Sequence, residues 1–134
     1  MCSAGGVAPR SRAKTVSEWA LRLFLALVFV VAGVDKFTGA MWVRVFNDIG
    51  FGQWFRPFTG IVEVLGGCLL LVPRATPVAV PVLVCTMAGA LLVHLTVVGI
   101  GPQTVAVSVL MAALVAVWLL YRRSIAESPI PNPS

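Results

Sequence analysis

Apolar residues in this chain are gathered into four long stretches, each closed off by glycine, proline or charge. They run over 16–34, 58–72, 77–98 and 103–121, and between Arg74 and Arg122 there is no Asp, Glu, Lys or Arg. An α-helix rises about 1.5 Å per residue, so ~20 apolar residues cross a hydrocarbon core of ~30 Å. Four such stretches predict an all-α fold, an integral membrane four-helix bundle. A mean hydropathy of +0.97, with 59% hydrophobic and 11% charged residues, excludes an ordinary soluble domain. At 134 residues, one such domain is the natural count.

The segments between the stretches agree with this division. Residues 1–15, with Gly5, Gly6, Pro9, Arg10, Arg12 and Lys14, read as a basic tail. The first stretch also resembles a secretory leader, but Val31-Ala32-Gly33-Val34-Asp35-Lys36 is a poor cleavage site, so a retained span is expected. In 37–57, Met41, Trp42, Val45, Phe46 and Ile49 fall on one side of a helix, with Arg44, Asn47 and Asp48 on another. That pattern predicts a short helix in the membrane interface between spans 1 and 2, followed by an aromatic belt of Trp54, Phe55 and Phe58. Pro57 suits the opening of the second span. Val72 to Pro77 is a proline-bounded turn, and Gly99 to Pro102 is a second turn. The membrane domain is expected over 16–121. Beyond it, 122–134 read as a disordered tail with Pro129, Pro131 and Pro133.

Charge sets the orientation. Four spans put both termini on one side, together with Arg10, Arg12, Lys14, Arg22, Arg74, Arg122 and Arg123, seven of the ten basic residues. Lys36, Arg44 and Arg56 fall on the other side. The positive-inside rule therefore places both termini in the cytoplasm of a multi-pass plasma-membrane protein. The formal net charge of +5 belongs to segment ends rather than to one face. It is topological, and nucleic acid is not an expected partner.

One residue stands out against the apolar background. Glu63 is the only acid between Gly60 and Val72, where a charge is costly unless it is paired or faces a polar cavity. By helix rise and direction, Asp35, Lys36, Glu63, His94 and Gln103 reach similar depth from separate spans. Bundle-core polar sites are built in this way. Lys36 and His94 are the candidate partners of Glu63. Equally, Lys36 can snorkel to headgroups, His94 can bond a helix backbone, and a paired Glu63 can simply lock helices together. Arg22, at the opposite end, is expected to snorkel. Gly33, Gly60, Gly66, Gly67, Ala88 and Gly89 suit close helix packing, and those beside Glu63 leave room for a flat ligand. Cys68 and Cys85, near mid-span on neighbouring helices, are expected to be buried free thiols. No Cys-x-x-Cys and no zinc-type spacing is present, so no metal is expected.

These residues together resemble the DoxX family of small four-helix membrane proteins. The likeness rests on Arg22 opening the first span and Ala32-Gly33-x-x-Lys36-Phe37 closing it. To these add Gly60-x-x-Glu63-x-x-Gly66-Gly67-x-x-Leu70 in the second span, the turn with Arg74 and Ala75, and His94 late in the third. It covers about Trp19 to Tyr121. The resemblance implies a subunit of a thiol- or quinone-linked membrane redox complex, since the family is similar to small subunits of thiosulfate:quinone oxidoreductase. Some members are associated with thiol-stress enzymes, and others in the broader group act in maturation. Only Lys36 and Glu63 carry over as functional residues, and the missing Cys-x-x-Cys argues against direct disulfide exchange. The expected ligand is a quinone bonded by Lys36 or His94. No haem, flavin or iron–sulfur motif is present, so any redox turnover needs a partner. The alternative is a non-catalytic assembly protein whose aromatic outer loop meets a client; proton-coupled transport ranks below both. Partners allowed by these readings are the lipid bilayer, other membrane or peripheral redox proteins, and a second copy of the chain.

Overall fold

A computed structural model of the chain describes residues 12–127, which form helices joined by short turns, with no strand among them. Helix α1 spans Arg12–Thr38 and α2 spans Ala40–Ile49. They are followed by α3 over Phe55–Leu70, α4 over Thr76–Val93 and α5 over Pro102–Ala126. A short 3₁₀ turn, Pro73–Ala75, joins α3 to α4, and α4 runs on into a π-helical turn, His94–Val98. With that turn, α4 and α5 are each long and apolar enough to cross a membrane.

Glycine and proline set the breaks. Gly50 has a φ of 82° and ends α2, its N–H returning to the Asn47 carbonyl. Gly99, with a φ of 94°, ends the π-turn by donating to the His94 carbonyl at 2.8 Å. Proline falls in the first turn of both α4 and α5, where a missing donor does no harm.

Helix α1 lies antiparallel on α3. Phe37 meets Gly60, Gly33 meets Gly60 and Val64, and Phe29 meets Gly67. A Cβ on Gly33 would stand 2.6 Å from the Gly60 carbonyl oxygen, and one on Gly60 would stand 2.9 Å from that of Gly33. The two backbones touch there, and only glycine permits it. Helix α4 then packs between α3 and α5, α5 also touches α1, and α2 rests on α3 and the π-turn. Leu25, Phe29, Leu70, Leu83, Leu114 and Val117 form the core between them. The outer surface is as apolar as the interior, with Leu23, Phe24, Leu27, Val31, Val105 and Val109 all exposed.

Several expectations need correction. Helix α1 begins by Arg12, inside the stretch read as a tail, and α5 continues through Arg122 and Arg123 to Ala126. Basic side chains in a last turn complement the helix dipole, so those arginines extend α5 rather than end it. Helix α3 begins at Phe55, one turn early, which places Pro57 within its first turn. The remainder of both expected tails, 1–11 and 128–134, lies outside the described residues. Cys68 and Cys85 are free thiols but exposed rather than buried ones. Arg22 does not snorkel. It is buried, donating to the Leu70 carbonyl at 3.1 Å and to the Thr76 hydroxyl at 2.8 Å.

Candidate functional site

The buried residues of α1 are Arg22, Leu25, Ala26, Phe29, Gly33 and Lys36, spaced three and four apart along one face. Those of α3 are Gly60, Glu63, Gly66, Gly67 and Leu70. Side chains on a helix lean toward its N-terminus. In an antiparallel pair, residues beyond a contact on each helix therefore lean back toward one another. Lys36 and Glu63 each follow their contact glycine by three residues, and they meet: Lys36 Nζ donates to Glu63 Oε2 at 2.6 Å. The Glu63 side chain is only 2% exposed and that of Lys36 11%. Burial of this kind is tolerable for two opposite charges in contact, whereas removing one leaves the other stranded.

Two further groups hold the lysine. The Trp42 ring stands over it, its centroid 4.7 Å from Nζ, a cation–π arrangement. Trp42 Nε1 in turn donates to Asp35 Oδ2 at 2.6 Å. Arg56, from the start of α3, donates to the Lys36 carbonyl at 3.0 Å, one of the open acceptors at the end of α1. The backbone and side chain of Lys36 are thus both fixed.

The pair stands on the wall of a cavity of about 560 Å³. Phe29, Trp42, Phe46, Phe55, Met87 and Leu110 supply apolar wall, drawn from α1 to α5. His94 lines it from the π-turn and Gln103 from the start of α5. His94 is buried, and its Nδ1 has no hydrogen-bond partner. Of the five polar residues expected at one depth, Lys36, Glu63, His94 and Gln103 therefore line a common space. Asp35 does not; it is exposed and reaches the site only through Trp42. No ion pair joins His94 to Glu63.

The matched pattern extends across the packed helices. A model of the DoxX-like family fits residues 20–118, from the buried face of α1 to the last turns of α5. The chain belongs to the DoxX-like family. No curated protein and no solved structure matches it. Family and apolar helices together make this DoxX-like chain a membrane protein, in contact with the lipid bilayer.

Two buried or cavity-lining polar residues were missed in the sequence, one in the site and one outside it. Trp42 was read only as an interfacial residue, although its place four residues before Phe46 puts both on the face of α2 that roofs the cavity. Arg22 carried a usable signal, because it shares the three-and-four spacing of Leu25, Phe29, Gly33 and Lys36 and so must point inward with them. Among the described residues no cluster of His, Cys, Asp and Glu suits a metal ion.

Proposed function

We propose that this DoxX-like protein is a multi-pass membrane subunit of a redox complex, and that its cavity takes a planar, lipid-soluble ligand of quinone size. In this reading α1, α3, α4 with its π-turn, and α5 form a four-helix bundle across the plasma membrane. Helix α2 lies in the outer interface, and both termini are cytoplasmic. The distribution of Arg74, Arg122 and Arg123 against Lys36, Arg44 and Arg56 supports that orientation.

One observation carries the proposal: a buried ion pair stands on a cavity that is otherwise almost wholly apolar. Ligand pockets are commonly ~300–1,000 Å³, mainly apolar with a few placed polar groups, and at about 560 Å³ this one is of that kind. Lys36 is the donor for a ligand oxygen. Glu63, Trp42 and Arg56 keep it in place, at low local dielectric where a directed donor acts strongly. In this reading redox turnover itself belongs to a partner protein.

The test is binding of a short-chain menaquinone to the full chain in mild detergent, followed through tryptophan fluorescence. The expected result is saturable quenching that weakens about tenfold or more when Lys36→Met and Glu63→Met are combined, with unfolding free energy held within about 1 kcal/mol. Absence of saturable binding by the unaltered protein would end the reading. A second reading, an assembly protein without a ligand, is favoured by the exposure of Phe51 and Trp54, at 65% and 66%. It would gain if the doubly substituted protein kept its co-purifying partners and Phe51→Ala with Trp54→Ala lost them.

A further inference from the structure

Glycine inside a helix gives up backbone freedom and offers no side chain to pack, so each one calls for a reason. Gly33, Gly60, Gly66 and Gly67 have theirs in the bundle, where an added Cβ would stand 3.1 Å or less from a neighbouring atom. Gly89 has none there. It lies inside α4, and a Cβ on it would meet nothing within 4 Å, so the close packing expected of it from the sequence does not account for it. What Gly89 does border is the cavity. Among the α4 residues on that wall, Met87 is buried, whereas Cys85, Gly89 and Leu92 are exposed. Those three recur at intervals of four and three and so form one strip along the helix. A residue that both lines a cavity and is exposed marks a side on which the cavity is open. Here that side belongs to a helix long and apolar enough to span, and what surrounds a span is lipid.

We infer that Gly89 is the sill of a lateral opening, across which an apolar tail of the ligand runs from the cavity into the bilayer. This deepens the proposed function and rests on it. The ring sits in the cavity beside Lys36 and Glu63, and the ligand belongs to the class that carries a prenyl or alkyl chain. A chain long enough to anchor a ring in the bilayer must leave the cavity, and it leaves at least cost where the wall already faces lipid. Gly89 lets that chain lie against helix backbone with no side chain in its path. Cys85 and Leu92 give it apolar contact on either side. A helix of a second copy is the other occupant that a small residue in a span accepts; continuity with the cavity favours the tail.

Two probes test this, a short-chain menaquinone and dimethylnaphthoquinone, the same ring with a methyl group in place of the chain. Each is titrated into the full chain in mild detergent while tryptophan quenching records binding. For one probe, the ratio of variant to unaltered affinity cancels partitioning into detergent. Gly89→Leu should weaken the chain-bearing probe about tenfold and the chainless one by less than about twofold. Melting temperature should hold or rise, because the added side chain meets open space and leucine is the better helix former. Ala88→Leu, one residue away and not on the cavity wall, should leave both affinities unchanged. Gly89→Ala, a smaller obstacle, should show the same selectivity at about threefold, and it decides the question where Gly89→Leu does not fold. Equal weakening of both probes, or none of the chain-bearing one, would overturn the role of Gly89 and leave the cavity reading intact. So would a change of oligomeric state in Gly89→Leu with chain-bearing affinity kept, which would assign the strip to a second copy. Absence of saturable binding of either probe by the unaltered protein would overturn the cavity reading and this inference with it.

Discussion

Helix α1 buries two cations on one face, about four turns apart, and the protein treats them differently. Arg22 donates to neutral acceptors, the carbonyl of Leu70 and the hydroxyl of Thr76, with Glu18 a turn earlier as a counter-charge it does not hydrogen-bond. Leu70 is the last residue of α3, so its carbonyl is one of those a helix end leaves open, at the negative pole of the dipole. Thr76 opens α4. One guanidinium therefore fastens α1 to the end of one helix and the start of the next, away from the cavity walled by Lys36 and Glu63. Lys36 is met by a formal charge, and the space beside it is open. The contrast teaches that burial of a cation does not by itself indicate a ligand. What separates a fastening from a site here is the void, with His94 and Gln103 on its wall beside the ion pair.

The largest expected effect would break that contrast at its charged end. Glu63→Ala leaves Lys36 buried without its counter-charge, and a loss of about 3–5 kcal/mol in unfolding free energy is expected. Lys36→Met with Glu63→Met removes both charges and should lie within about 1 kcal/mol of the unaltered protein, because paired apolar replacements are often neutral. Thermal unfolding in one detergent measures both. If the pair is only a fastening like Arg22, the double replacement will keep ligand affinity, and the distinction between the two ends collapses.

Arg22→Met strands a carbonyl and a hydroxyl and takes a cation away from Glu18, which is only half-buried and keeps access to water. A smaller loss is expected, about 2–3 kcal/mol, with ligand affinity unchanged in the molecules that remain folded. Thr76→Val removes a single acceptor and should cost about 1–2 kcal/mol. Loss of ligand affinity in Arg22→Met at constant melting temperature would mean that the two ends are coupled.

The helices were legible because hydropathy and punctuation report directly on them; the positions of turns at 73–75 and 99–101 follow from Pro73, Pro77, Gly99 and Pro102. Depth was also legible, since helix rise converts sequence number into distance. Direction around the helix was harder. Asp35 and Lys36 share a depth but sit about 100° apart on α1, so one is exposed beside Trp42 and the other buried on Glu63. Arg22 was misread for a related reason: a long basic side chain at a span end usually snorkels. Its inward register was written in the spacing to Leu25 and Phe29, yet its acceptors exist only once α3 stops and α4 starts beside it. The thiols went the other way. Cys68 and Cys85 lie on their helices where expected, but in a protein whose outside is as apolar as its core, hydropathy does not tell the two apart. The π-turn at His94 has no sequence signature that propensity would reveal.

The smallest effect on stability, and the one that bears on partners, is expected at Trp54. Its ring lies 5.7 Å from that of Phe55 and 6.3 Å from that of Phe58, but it is two-thirds exposed and makes no hydrogen bond to the Lys36 or Glu63 side chains. Trp54→Ala should therefore change the melting temperature little, within about 0.5 kcal/mol of unfolding free energy, as surface substitutions generally do. Ligand affinity should also hold, since Trp42 rather than Trp54 covers the lysine. What should change is association: an exposed aromatic cluster at the mouth of α3 suits either the lipid interface or another protein. Co-purification in mild detergent separates these, because an interfacial anchor would leave the partner set unaltered. If Trp54→Ala abolished ligand binding as well, the aromatic loop and the cavity would be one site, and the ligand's wall would extend onto the partner's surface.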